Sequence, residues 1–162
     1  MPRREQTPQF QHSLWDRLTD PGLFHGPDVA VTVSGEIERI KQEVRRDLEW
    51  LLNSHCLNWE GPPQMEALAR SVLSYGLPDL STMNLADPKE RERFQGVLAR
   101  AIRDFEPRLD HVEVRLNEQA KADGRPRVHY RIDAVLKLEP TPLSVVFDTV
   151  LELGSKTFRV EG

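Results

Sequence analysis

Cysteine occurs once, at Cys56, so no intrachain disulfide can form and nothing calls for an oxidising compartment. Long hydrophobic runs are missing too: none approaches the roughly 20 residues needed to cross a bilayer. The opening "MPRREQTPQFQHSLWDRL" has charges but no apolar stretch of signal-peptide length behind them. A cytoplasmic protein without a membrane partner is the expectation. Neither sign of charge dominates, with 26 acids against 22 bases and a formal net charge of −4. The signs are interleaved, as in "KERERF", so no basic stripe offers a nucleic-acid footprint and no nucleic-acid partner is expected. The histidines are His12, His25, His55, His111 and His129, and none pairs with another His or Cys at ligand spacing. There is no Gly-rich phosphate loop, no G-x-S-x-G elbow, and no context that would activate Cys56. No metal, cofactor or catalytic residue is therefore expected.

What remains is an ordinary globular balance of 38% hydrophobic and 30% charged residues in a chain of 162, with 12 prolines and 9 glycines. Residues 1–12 read as a loose lead and 13–162 as a single domain with one core. In "SLWDRLTDP", Leu14, Trp15 and Leu18 are spaced for one face of a short helical turn. A Trp after such a lead either enters the core or meets a partner, and the core is expected because large aromatics are mostly buried. Ser34 is placed to cap a helix from about Gly35 to Asn53. Ile37, Ile40, Val44, Leu48, Leu51 and Leu52 form its apolar face, while Lys41, Glu43, Arg45, Arg46 and Glu49 fall mostly on the remaining surface. Met65, Leu68, Ala69, Val72 and Leu73 suggest a short helix closed by Gly76 and Pro78. Asp87, Pro88 and Glu90 then begin a capping-box-like helix whose face is Phe94, Val97, Leu98, Ala101, Ile102 and Phe105.

Beyond Pro107 the pattern turns to strands. Val112, Val114 and Leu116 alternate with charged residues, and Val128, Tyr130, Ile132, Ala134, Leu136 and Leu138 mark the strongest strand. "LSVVFDTVLEL" is apolar on Val145 and Phe147 but also carries Val146 and Val150 on its second face, as expected of a strand that is central or covered on both sides. A short last strand follows. Turns this short make the strands antiparallel, so the fold class is α+β, with N-terminal helices packed on one face of a C-terminal antiparallel meander sheet.

Glu106-Pro107-Arg108 sits at the joint. One reading is punctuation: Pro107 stops the helix and the charges are solvated, where ion pairs are worth about 0–1 kcal/mol. The other is docking, with proline fixing the corner so that the guanidinium fork projects toward a partner's carboxylate or carbonyl. Glycoside hydrolysis would need two carboxylates across a cleft, one of them held protonated. Asp104, Glu106 and Asp110 are close in sequence, but Arg103 and Arg108 favour their ionised forms.

"SLWDRLTD", "IKQEVRRDLEWLLNS", "SVLSYGLPDLS" and "AIRDFEPRLDHVEV", followed by "RIDAVL" and "VVFDTVLEL", resemble in that order the TssE family of type VI secretion baseplate subunits. That family is related to the baseplate wedge protein of contractile phages and also bears a "lysozyme" label. The resemblance runs from about Ser13 to Val160. It implies a non-enzymatic role in a cytoplasmic baseplate around the spike, helping to start assembly of the contractile sheath. It further implies that Glu106, Pro107 and Arg108 dock on the core bundle made by TssF and TssG, with TssK in the same complex and the spike VgrG a possible neighbour. Leu14 and Trp15, in the leading segment, join these as partner-binding candidates. Val146, Val150 and Phe158 are candidates for contact with the sheath subunits TssB and TssC, by strand addition at the edge of the last strand. The rival readings are a lysozyme-like glycoside hydrolase acting on peptidoglycan and a small regulatory adaptor on the same fold.

Overall fold

A computed structural model describes residues 12–19, 33–57, 71–85, 87–117, 126–139 and 141–161. Among the described residues, α1 (Leu14–Thr19), α2 (Val33–Asn53) and α3 (Pro88–Phe105) precede a sheet of β1 (Leu109–Leu116), β2 (Arg127–Leu136), β3 (Leu143–Glu152) and β4 (Thr157–Glu161). The strands pair in the order β1-β2-β3-β4, each antiparallel to the next. The expected α+β meander is therefore the fold.

In α2 the helical stripe Ile40, Val44, Leu48, Leu51 and Leu52 is no more than 2% exposed. Burying each of these side chains contributes about 1.5–3 kcal/mol, so this stripe outweighs any surface ion pair in holding the helix down. The helix begins at Val33, two residues ahead of expectation, so Ser34 lies inside its first turn rather than capping it. Glu43, expected on the surface, is buried. In α3, Asp87 accepts a hydrogen bond from the Lys89 N–H at 2.9 Å and Pro88 occupies the start, as expected. The capping box does not close: the Asp87 N–H donates to the Asn84 carbonyl at 2.9 Å, and Glu90 turns to Arg93 at 3.0 Å. Phe94, Leu98, Ala101 and Ile102 join the core, with Val97 and Phe105 packed at its edge.

Met65, Leu68 and Ala69 lie outside the described residues. Val72 and Leu73 belong to a 3-10 turn, Val72–Ser74, and are exposed, so no helical face is buried there. Gly76 adopts a φ of 110°, as its place after that turn requires, and a Cβ at this position would stand 2.3 Å from the Ser54 carbonyl oxygen. The tight approach lets the Leu77 N–H reach Ser54 O at 2.8 Å and forms a parallel bridge between His55 and Leu77.

In β2, Val128, Tyr130, Ile132, Ala134 and Leu136 all face inward, as their alternation predicts, and Leu138 beyond it is buried too. β3 is central in the sheet, but its second face is not covered: Val146 is 48% exposed and Val150 half-buried. β1 contains a bulge between Asp110 and Glu113, with His111 at φ 49°, which absorbs one extra residue so that both Leu109 and Val112 point inward.

The edge of the last strand differs from expectation. Instead of leaving unpaired groups, β4 lies against α2: the Asn53 side chain donates to the Phe158 carbonyl at 2.9 Å and accepts from the Phe158 N–H at 2.8 Å. Glu49 accepts from the Val160 N–H at 3.1 Å. An amide and a carboxylate thus stand where another strand's backbone would have been, which blunts the edge.

Candidate functional site

Pro107 ends α3, and the chain must turn before β1 can begin. Glu106 closes the helix, donating its N–H to the Ile102 carbonyl at 2.8 Å and accepting from the Leu109 N–H at 3.2 Å. The Pro107 carbonyl accepts from the Lys137 ammonium at 3.0 Å, and the Arg108 carbonyl from the Lys137 N–H at 2.9 Å. The backbone of the proline and of the residue after it is therefore held to Lys137, just past the end of β2.

The Arg108 side chain turns inward rather than projecting from the corner. Glu106 and Arg108 are 5% and 7% exposed, and Pro107 is exposed between them. Arg108 Nε donates to Glu106 Oε1 at 2.8 Å, and Nη2 donates to Glu106 Oε2 and to Asp47 Oδ2, each at 2.6 Å. The Arg108 N–H also reaches Glu106 Oε1 at 3.2 Å. Nη1 lies 3.7 Å from Glu43 Oε2, beyond hydrogen-bond reach, and has no acceptor among the described residues. Burial works against the charge on Arg108, but the hydrogen bond and charge of Glu106, then those of Asp47, outweigh it and raise its pKa above that of an ordinary arginine. Removing one partner from such a buried set costs about 3–5 kcal/mol, because the others are left uncompensated.

The network continues outward along α2. Glu43 also receives His12 Nδ1 at 3.0 Å and the Ser13 N–H at 3.3 Å, while His12 Nε2 meets Glu36 at 3.0 Å. Arg46 grips Asp16 with two bonds of 2.7 and 2.8 Å and reaches Asp47 at 2.8 Å. The Arg46 hydrogen bond is the main reason that the Asp16 carboxyl is lowered to about 2, aided by a short contact from the Ser13 hydroxyl and opposed by burial. The Arg46 guanidinium also sits 4.8 Å over the Trp50 ring, and Trp15 meets Trp50 edge-on at 6.0 Å. Trp15 is 55% exposed, which corrects the expectation that it enters the core: its only ring contact among the described residues is with another half-exposed ring.

Leu14, Trp15, Glu106, Pro107 and Arg108 thus come together around one cavity of about 1020 Å³, walled on its other side by α2 and Tyr75. Burial, and then the charges of Asp47 and Glu106, push the Tyr75 hydroxyl above its ordinary pKa. Val146 and Val150 lie elsewhere, on the sheet face away from the helices. Phe158 is 1% exposed and packs in the core against Phe94 at 6.2 Å between ring centroids. The residues that sequence reasoning missed are His12, Glu43, Arg46 and Asp47. Glu43 and Asp47 are one helical turn apart beside the apolar stripe, and that spacing was the available signal.

Among the described residues no helix is long and apolar enough to cross a membrane, and no group of three or more His, Cys, Asp or Glu is placed to hold a metal ion. A family model for baseplate wedge protein gp25 matches residues 38–141, more than half of the chain, covering most of α2 and all of α3, the corner, β1 and β2. No curated protein and no solved structure matches.

Proposed function

The chain belongs to the baseplate wedge protein gp25 family, and from that membership we propose that it is a structural, non-enzymatic subunit of a type VI secretion baseplate, working in the cytoplasm. In this reading residues 13–162 act as one wedge-like unit. The corner at Pro107 and the adjoining cavity dock on the core bundle of TssF and TssG, with TssK in the same assembly and the spike VgrG nearby. The observation that carries the reading is the buried Arg108 set: Glu106 and Asp47 fix the guanidinium, so the exposed Pro107 is presented on a rigid corner beside the exposed Leu14 and Trp15. Rigid presentation lowers the ordering cost of association.

Sheath initiation with TssB and TssC is the second half of the proposal. Strand addition at β4 would have to displace Asn53 and Glu49 from Phe158 and Val160. Buried Phe158 therefore acts from inside, holding β4 in place, while exposed Val146, on the same face as Val150, offers accessible apolar surface. The test is co-purification with a TssF–TssG core, comparing wild type with the surface changes Pro107→Ser and Leu14→Ser, whose melting temperatures should stay near wild type. Lost retention with an unchanged melt is expected. Full retention in both variants would remove the corner from the interface, and turnover of peptidoglycan abolished by Glu106→Gln would replace the whole reading with an enzymatic one.

A further inference from the structure

α1 is fastened in an unusual way. A surface helix normally buries its apolar stripe, yet no α1 residue is buried, and Leu14, Trp15 and Leu18 are 69%, 55% and 71% exposed. What fastens the segment is chiefly polar: the Asp16–Arg46 clamp, the Ser13 N–H on Glu43, and His12 between Glu43 and Glu36. A segment with so little apolar burial lies at the low-stability end of a fold, where local opening occurs.

A second observation lies directly beneath. Arg108 Nη1 belongs to a side chain 8% exposed and finds no hydrogen-bond acceptor among the described residues. A carboxylate oxygen just out of its reach, Glu43 Oε2 at 3.7 Å, is the atom that accepts the Ser13 N–H. The N-terminal segment therefore engages the oxygen that Arg108 lacks, and a buried donor without an acceptor favours any arrangement that supplies one.

We propose that residues 12–19 form a displaceable strap over the Glu106–Arg108 corner, lifted when a partner docks there. The occupant is a partner segment with an oxygen acceptor for Arg108 Nη1 and an apolar face that covers the Trp50 ring left behind and takes up Leu14 and Trp15 on the lifted strap. Lifting the strap uncovers that nitrogen and frees Glu43 Oε2. The idea rests on the docking reading above and adds that the free protein holds its own site partly closed. A binder whose competent state is a minority gains affinity when that state is favoured, here by about 3- to 10-fold.

The test uses the full chain with Asp16→Ala, which removes the Arg46 clamp, and Ser13→Pro, which removes the N–H held by Glu43. Hydrogen exchange should be faster over residues 12–19 than over α2 in wild type, and faster still in both variants, with α2 and the sheet unchanged. Equal protection of 12–19 and α2 in wild type would overturn the strap. Binding to the TssF–TssG core should tighten in both variants. Unchanged or weaker binding alongside faster exchange would refute competition between strap and partner. If no chain binds the core, the docking reading and the partner's part fall together, while exchange still decides whether the strap opens by itself. A concentration-dependent dimer in sedimentation that strengthens in Asp16→Ala would give the site to a second copy and overturn the choice of occupant.

Discussion

Replacing Arg108 with alanine should be among the most damaging single changes in this chain, although arginine is usually a surface residue. The guanidinium is 8% exposed on its side chain and bridges Glu106 and Asp47, with Glu43 close by. Its removal leaves those carboxylates facing one another in a region of low water access. Breaking a buried set of this kind costs about 3–5 kcal/mol. For a chain of this length each kcal/mol moves the melting temperature by about 2–4 °C, so the expected drop is about 6–20 °C. Arg108→Lys keeps the charge but not the planar fork and should lose roughly half as much. Replacing both partners, Glu106→Leu with Arg108→Met, should recover more than half of the loss, because uncompensated charge rather than missing contact is then removed. Circular-dichroism melts of the three variants decide the matter. An Arg108→Ala melt within about 2 °C of wild type would refute the claim that the buried guanidinium organises the corner.

Asp16, lowered to about 2 from 3.8 by Arg46, stabilises the fold above pH 3.8, and that stabilisation is lost as pH falls toward 2. Asp16→Ala should therefore melt slightly below wild type at pH 7, by about 1 kcal/mol after solvent screening, and the two melts should converge across that window; a gap constant with pH would contradict the assignment. Asn53→Leu strips the Phe158 N–H and carbonyl of their partners, at about 1–3 kcal/mol, and should produce concentration-dependent light scattering as the edge of β4 becomes available for pairing. Gly76→Ala forces a Cβ against the Ser54 carbonyl at a φ of 110° and should cost more than about 1 kcal/mol, with faster exchange at the Cys56 and Leu77 amides; an unchanged melt would show that the turn relaxes freely.

Periodicity made the framework legible. The stripes of α2 and α3 and the alternation of β2 each point one face inward, and burial follows them almost residue by residue. Chemistry at the corner was legible only in part. Pro107 announces a stop, but the direction of the Arg108 side chain depends on Asp47 and Glu43, about sixty residues earlier, and spacing within one element carries no information about that meeting. Trp15 was misplaced for a similar reason: its size argued for burial, while the Asp16–Arg46 ion pair and the Ser13 N–H on Glu43 hold α1 on the outside. The open edge expected at β4 failed because strand pattern is blind to a helix side chain that copies the hydrogen bonds of a strand.

The contacts from Asn53 and Glu49 to β4 reach across 105 and 111 residues of chain. During synthesis at about 5–20 residues per second, α2 leaves the ribosome several seconds before Phe158 and Val160 exist. For that interval Leu48, Leu51 and Leu52 have no sheet to close over them, and the pairing that completes the core is among the most distant in the molecule. Closing that loop costs entropy that grows only with the logarithm of its length, and non-local pairings of this kind form slowly. A nascent chain in this state is an aggregation hazard until β4 emerges, so loss of that strand should be felt first in yield and only afterwards in assembly.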